Sequence, residues 1–327
     1  MKNYACIPII SLCVLLMTST EVYGYKYGLG SCLDQDREQI IWPSIKKENL
    51  DGFIFLGDNV YGDLPSGKLL KMQKAYQMQR KRLPRWLMDK KEILAIWDDH
   101  DFGLNDGGGD YIYKKDAEKM FLNFWNIPQS DLRRNRDGIY FKQTKQIEGT
   151  EVEIIGLDTR YFRSKLKGKK NAYEQNNDSA ATILGQDQWT WLETSISNST
   201  ADVIVILSSI QILATNHPYE KWDNFPLERK RLLEIIARAS KEKTIIAVTG
   251  DRHKSGIYQN ENFLEITASS LNKSASKGSE TDPLLIGKTY RIINYGILNI
   301  EPNKNKITVS IHDKNGQELN SKTINIH

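Results

Sequence analysis

Four short runs constrain this chain more than any other feature: Gly52–Leu56, Glu92–Trp97, Val203–Leu207 and Thr244–Val248. Each is almost unbroken apolar sequence. A strand with one wet face alternates apolar and polar residues, whereas a strand buried on both faces does not. Such runs need cover on both sides, and the segments between them supply it. Gln35–Glu48, Lys68–Leu87, Lys114–Trp125, Gln186–Ile196 and Leu227–Ala239 carry apolar residues at helical spacing, with Ala117, Met120, Phe121 and Phe124 on one face of the third. Tyr25–Cys32 reads as a further strand.

Two regions break the pattern. Ile139–Thr144 and Glu151–Leu157 alternate like an antiparallel pair. From Tyr290 onward the chain is β-branched and alternating, with an Asn315-Gly316 turn signal, which predicts a terminal hairpin completing one sheet. The mixture predicts an α/β fold, a four-layer α-β-β-α sandwich of two mixed sheets flanked by helices. No internal repeat or Pro- or Ser-rich linker divides residues 25–327, so they are expected to form a single domain. Thr267–Gly287, rich in Ser, Lys and Gly, is expected to be a long mobile loop, and Lys165–Lys170 a solvated one.

The N-terminus has Lys2, an apolar run from Ala5 to Met17, and a small-residue site at Val22-Tyr23-Gly24. Residues 1–24 therefore read as a secretory signal peptide, too short in its apolar core to span a bilayer. With no twin arginine, this predicts Sec-type export to a secreted or periplasmic location. No later segment is apolar enough to cross a membrane. A formal net charge of +4 is a weak excess and does not indicate a nucleic-acid binder.

Of the three cysteines, Cys6 and Cys13 fall in the leader, which leaves Cys32 with no intramolecular disulfide partner. A lone exported thiol is often just a small buried side chain, but metal ligation also accounts for it, because a cation lowers the thiol pKa and protects the sulfur. Its company favours the metal. Asp58, Asp99 and Asp251 each follow the carboxyl end of an apolar strand, as Cys32 does, and in α/β sheets ligands bind beyond those ends. One acidic strand end alone is usually a turn or a helix cap. Several carboxylates converging on one place repel unless a cation neutralises them.

The blocks that carry these residues are Gly30-Ser31-Cys32, Gly57-Asp58-Asn59-Val60-Tyr61-Gly62-Asp63, Trp97-Asp98-Asp99-His100-Asp101-Phe102-Gly103 and Thr249-Gly250-Asp251-Arg252-His253. Leu157-Asp158-Thr159-Arg160, Leu184-Gly185-Gln186 and Gln188-Trp189 with Trp191-Leu192 accompany them. In this order they resemble the PhoD-like alkaline phosphatases of the metallophosphoesterase superfamily, from about Cys32 to Ser270.

The resemblance implies two or more metal ions, iron and calcium by family habit. It makes Cys32, Asp58, Tyr61, Asp99, Asp251 and His253 the metal ligands, with Asp58 bridging two ions and Cys32 and Tyr61 on a ferric ion. It places His100 beside the substrate as general acid or phosphoryl donor, and Arg160 as the catalytic phosphate clamp. Asn105 and Gln211 are expected near substrate. Other readings stay open: Tyr61 as a packing aromatic, Arg160 as an ion-pair partner of Asp158 or Asp98, and Asp98 as a support rather than a ligand.

The implied activity is hydrolysis of phosphate esters to alcohol and phosphate by a metal-bound hydroxide, on small phosphorylated substrates, with no nucleic acid and no obligate protein partner. Alternatives are a phosphodiesterase or phospholipase-type hydrolase on the same site, or a catalytically inactive metal-binding protein. Familiar members carry a twin-arginine leader and an extra β domain ahead of the catalytic one, and neither is seen here.

Overall fold

The structure is a computed structural model that describes Met1 and residues 24–275, 278 and 280–327. Apart from its two end residues, the leader read over 1–24 lies outside the described residues.

The first three strands, β1 (Tyr25–Gly30), β2 (Gly52–Leu56) and β3 (Glu92–Ile96), are parallel neighbours in that order. They are linked through helices α1 (Trp42–Lys47), α2 (Met72–Arg82) and α3 (Arg85–Met88). After β3 come α4 (Asp99–Phe102) and α5 (Lys114–Phe124).

The chain then crosses to a second sheet. Strands β4 (Phe141–Ile147) and β5 (Thr150–Gly156) pair antiparallel, as their alternation predicts. A small hairpin of β6 (Lys167–Lys169) and β7 (Ala172–Glu174) stands apart. Helix α6 (Gly185–Ser197), strand β8 (Val203–Ser208), helix α7 (Pro226–Ala239) and strand β9 (Thr244–Thr249) follow, then β10 (Ser255–Asn260), β11 (Phe263–Thr267) and β12 (Leu285–Tyr290). This sheet is ordered β12-β10-β11-β9-β8-β5-β4. The last strands, β13 (Asn294–Glu301), β14 (Lys306–Asp313) and β15 (Glu318–Asn325), return to the first sheet and complete it as β15-β14-β13-β1-β2-β3.

Both sheets are mixed, as expected, and the unbroken apolar runs are explained by burial on two sides. Val203, Val205 and Leu207 point into a core shared with the first sheet, while Ile204 and Ile206 point the other way, into a second core with Leu192 of α6 and Leu232 of α7. Ile246 and Val248 against Ile245 and Ala247 repeat the split on β9.

Three expectations need correction. Of Gln35–Glu48 only Trp42–Lys47 is helical, because Gln35 is turned inward to hold the Tyr61 backbone. Lys68–Leu87 is two helices: Leu83, ahead of Pro84, is extended, as a residue before proline prefers. The terminal hairpin is a three-stranded meander. Among the described residues, no helix is long and apolar enough to cross a membrane.

Candidate metal centre

Four chain segments end at one cleft because four strands do. Cys32 and Asp58 stand two residues past β1 and β2, Asp99 three past β3, and Asp251 two past β9 of the other sheet. Backbone hydrogen bonds lace these ends together. Leu33 N donates to Asp58 O at 2.9 Å, Leu271 N to Ser31 O at 3.0 Å, and Gly250 N to Ser209 O at 3.0 Å.

The turns themselves are strained. Cys32, Asp58, Asp251 and His253 all have positive φ, at 58°, 51°, 66° and 52°. Non-glycine residues adopt this region uncommonly, and such outliers gather where surrounding structure imposes them. Gly57, at φ 96°, needs its hydrogen for a second reason: a Cβ there would lie 2.5 Å from that of Asp98.

Two groups of side chains offer ligand atoms within 4.8 Å of one another: Cys32 with Asp58 and His253, and Asp58 with Asp99 and His100. Asp58 belongs to both. Its Oδ2 accepts from the Cys32 thiol at 3.4 Å and from the Tyr61 hydroxyl at 2.9 Å, and that hydroxyl lies 3.0 Å from His253 Nε2. Asp251 lines the same cleft, a cavity of about 290 Å³. The six residues expected as ligands thus converge, five through these contacts and Asp251 along the wall.

The electrostatics show what the cleft lacks in its own atoms. Burial pushes Asp99 up to about 6, with Asp58 adding to the shift and His100 opposing it. Burial pushes Asp251 up to about 8 against the nearby Arg252. It raises the Cys32 thiol as well, assisted by Asp58. Burial works the same way on Asp58, but the charge of His100 and the hydrogen bond and charge of His253 outweigh it, so that carboxyl is held below its ordinary range. Asp58 Oδ1 and Asp99 Oδ1 are buried with no hydrogen-bond partner. Buried oxygens aimed into a cleft, a thiol and an imidazole form a donor set that cations satisfy, and a cation reverses the direction of such shifts.

His100 pairs through Nδ1 with Asp63 Oδ1 at 2.7 Å. Burial lowers the imidazole pKa, but Asp99, Asp58 and Asp63 together hold it well above its ordinary value. Asp63 carried no role in the sequence reading, although it closes the block that begins at Gly57. Ser269 was missed too. Its Oγ lies 3.1 Å from Cys32 Sγ and accepts from His253 N at 3.0 Å. Ser269 sits in the stretch read as a mobile loop, whose first residues, Ala268–Leu271, are instead fully buried against the site. The mixture of Ser and Lys concealed that.

Arg160, expected as the phosphate clamp, is not among the residues that line this cleft. It is fully buried. Its Nε donates to Asp98 Oδ1 at 2.7 Å and its Nη1 to Glu220 Oε2 at 2.5 Å, while Arg163 Nε lies 2.9 Å from Glu220 Oε1. The ion pair with Asp98, one of the readings left open, is the observed one. Gln211 is also fully buried. It donates to Thr267 Oγ1 at 2.8 Å and accepts from Arg252 Nε at 3.1 Å, so it reaches the cleft only through Arg252. Asn105 does line the cleft, donating to Asp106 Oδ2 at 2.5 Å.

A family profile described as PhoD-like phosphatase matches residues 87–294. The segments of Cys32, Asp58 and Tyr61 precede that match. The fold overlays a solved structure of PhoD at a TM-score of 0.72 and 17% identity, over 93% of this chain and 70% of that one. GAP50, described as the anchor in the inner membrane complex of Plasmodium, gives 0.63 at 12% identity, over 93% and 90%. The purple acid phosphatase PPD1 of yellow lupin seeds gives 0.58 at 10%, over 92% and 54%. At such identities the structural likeness concerns the fold. No curated protein matches the chain.

Proposed function

Because the chain belongs to the PhoD-like phosphatase family, and so is a phosphoric ester hydrolase, we propose that it uses this cleft as a metal-dependent phosphatase site, splitting phosphate esters into alcohol and phosphate. The observation that carries the reading is the position of Asp58, whose carboxylate is common to both ligand groups. A carboxylate offers two oxygens, and a pair of ions is what a shared carboxylate suits.

In this reading Cys32, Tyr61 and His253 would hold one ion with Asp58, Asp99 would hold a second with Asp58, and Asp251, which lines the same cleft, would complete the set. Thiolate and phenolate would favour iron on the first side, and the carboxylate oxygens of Asp58 and Asp99 would favour calcium on the second. When bound, the ions supply an activated water and offset charge on the phosphoryl group.

The chain's own residues do the rest. Asp63 occupies Nδ1 of His100, so Nε2 is the atom the ring can present to a leaving oxygen. Water, with one proton released to solvent, would bond through its oxygen to phosphorus as the ester P–O bond breaks, while His100 would give its proton to the departing alkoxide and regain one from solvent. Arg160 and Asp98 hold the Asp99 turn from behind. Arg252 and Asn105, both on the cleft wall, face the phosphoryl oxygens in its place. Residues 25–327 act as one catalytic domain, and the apolar run behind Lys2 exports it to a secreted or periplasmic location.

An Asp58→Asn variant tests the core of this. Elemental analysis should show metal lost beside a wild type that retains it, and turnover of p-nitrophenyl phosphate should fall by at least about a hundredfold. Full metal content with full activity in the variant would sink the reading. Faster turnover of the bis(p-nitrophenyl) ester by wild type would convert it to a phosphodiesterase.

A further inference from the structure

The lysine-rich stretch at Lys165–Lys170 reads as solvated loop in sequence, yet it folds into the hairpin of β6 and β7, whose tip, Lys170 and Asn171, lines the mouth of the cleft. Asn171 takes the left-handed conformation, φ 62°, that a tight turn requires.

The hairpin is tied to the site at several points. Tyr173 Oη donates to Asp106 Oδ2 at 2.8 Å, and Tyr173 N donates to Pro218 O at 3.0 Å. Asp106 N in turn donates to Asp99 Oδ2 at 2.7 Å, so the hairpin and the proposed ligand Asp99 share one bridging residue. Lys170 Nζ donates to the Asn105 side-chain oxygen at 3.0 Å.

That last contact is the unusual one. The other strong cations of the cleft wall have carboxylates at hand: Arg252 lies 3.4 Å and Arg291 3.6 Å from Glu280. Lys170, by contrast, is held by a neutral amide and forms no ion pair among the described residues. Its ammonium thus stands exposed on the cleft lining with Asn105 as its side-chain partner. The scissile phosphoryl group belongs deeper, over the carboxylate floor, so Lys170 stands where the rest of the substrate emerges.

We propose that Lys170 makes this enzyme select phosphate esters whose alcohol part carries a second anionic group, a carboxylate or another phosphate. The inference rests on the phosphatase reading above. An ammonium at the exposed rim of the cleft, tethered to Asn105, attracts such a group and gains little from a neutral alcohol, so it discriminates between them.

Two esters that differ only at the far end test it: 3-phosphoglycerate, with a carboxylate, and glycerol 3-phosphate, with a hydroxymethyl group. Metal-loaded wild type should favour the first in kcat/KM by about two- to fivefold at low salt, the range of an exposed ion pair. The preference should shrink at high salt. Lys170→Met should bring the ratio near one, and Lys170→Arg should restore it. Lys167→Met, an exposed change on the same hairpin that does not line the cleft, should leave the ratio within about twofold of wild type. Turnover of both esters without preference, or a ratio untouched by Lys170→Met, overturns this inference alone. No turnover of p-nitrophenyl phosphate by wild type overturns the phosphatase reading and this inference with it.

Discussion

Asp63 Oδ1 lies 2.7 Å from His100 Nδ1, and both side chains are mostly buried. A carboxylate in that position fixes the tautomer and aim of an imidazole, which is how histidines are commonly held ready for proton transfer. Asp63→Asn should therefore lower kcat on p-nitrophenyl phosphate by about ten- to a hundredfold while leaving metal content intact. Elemental analysis beside steady-state kinetics checks both halves. Unchanged kcat would remove His100 from the proton transfer.

Cys32 makes a second test, because its sulfur is buried beside Asp58 and Ser269 and carries no structural bond that serine could not replace. In Cys32→Ser the hydroxyl is a much weaker donor to a soft or highly charged ion. The variant should fold, with near-UV circular dichroism like wild type, and should lose one iron-like ion per chain. Retention of all metal would refute the ligand role.

Arg160 separates a structural from a catalytic role. Its guanidinium sits between Asp98 and Glu220 with no exposed surface. Arg160→Met leaves buried Asp98 without its cation and Glu220 with Arg163 alone, and losing one member of a buried pair costs about 3–5 kcal/mol. Thermal unfolding should show a fall in Tm of many degrees. A stable variant with only a raised KM would return Arg160 to the role of phosphate clamp.

Glu265 predicts a pH dependence that does not involve the metal cleft. Its carboxylate is buried, accepting from Leu213 N at 2.6 Å and from Thr249 Oγ1 at 2.9 Å. Burial outweighs those hydrogen bonds and pushes its pKa from 4.5 up to about 7. Between these values the folded chain binds more protons than the unfolded chain, so stability falls as pH rises. The contribution is complete below pH 4.5 and is lost as pH passes through about 7. Glu265→Gln should flatten the slope of denaturant-unfolding free energy against pH in that window. An identical slope in the variant would contradict the assignment.

How far the sequence could be read depended on the distance over which each signal acts. Buried strands announce themselves because burial on two faces demands an unbroken apolar run, and Val203–Leu207 meets that demand residue by residue. Proline at position 84 marked a break that helical periodicity alone passed over. The acidic strand ends were legible because a carboxylate after an apolar strand is a local pattern. The partner of a charge was not. Nothing near Arg160 in sequence chooses between Asp158 and Asp98, and Glu220 lies 60 positions away.

The sequence by itself therefore determined the α/β architecture and the residue types able to hold cations, since hydrophobic period and donor chemistry belong to the chain. Tertiary structure decided which charges meet. It buried Arg160, paired Asp63 with His100, and set the tip of a lysine-rich hairpin over the cleft. Coulombic pairing depends on distance in space, and only the packed sheets set those distances.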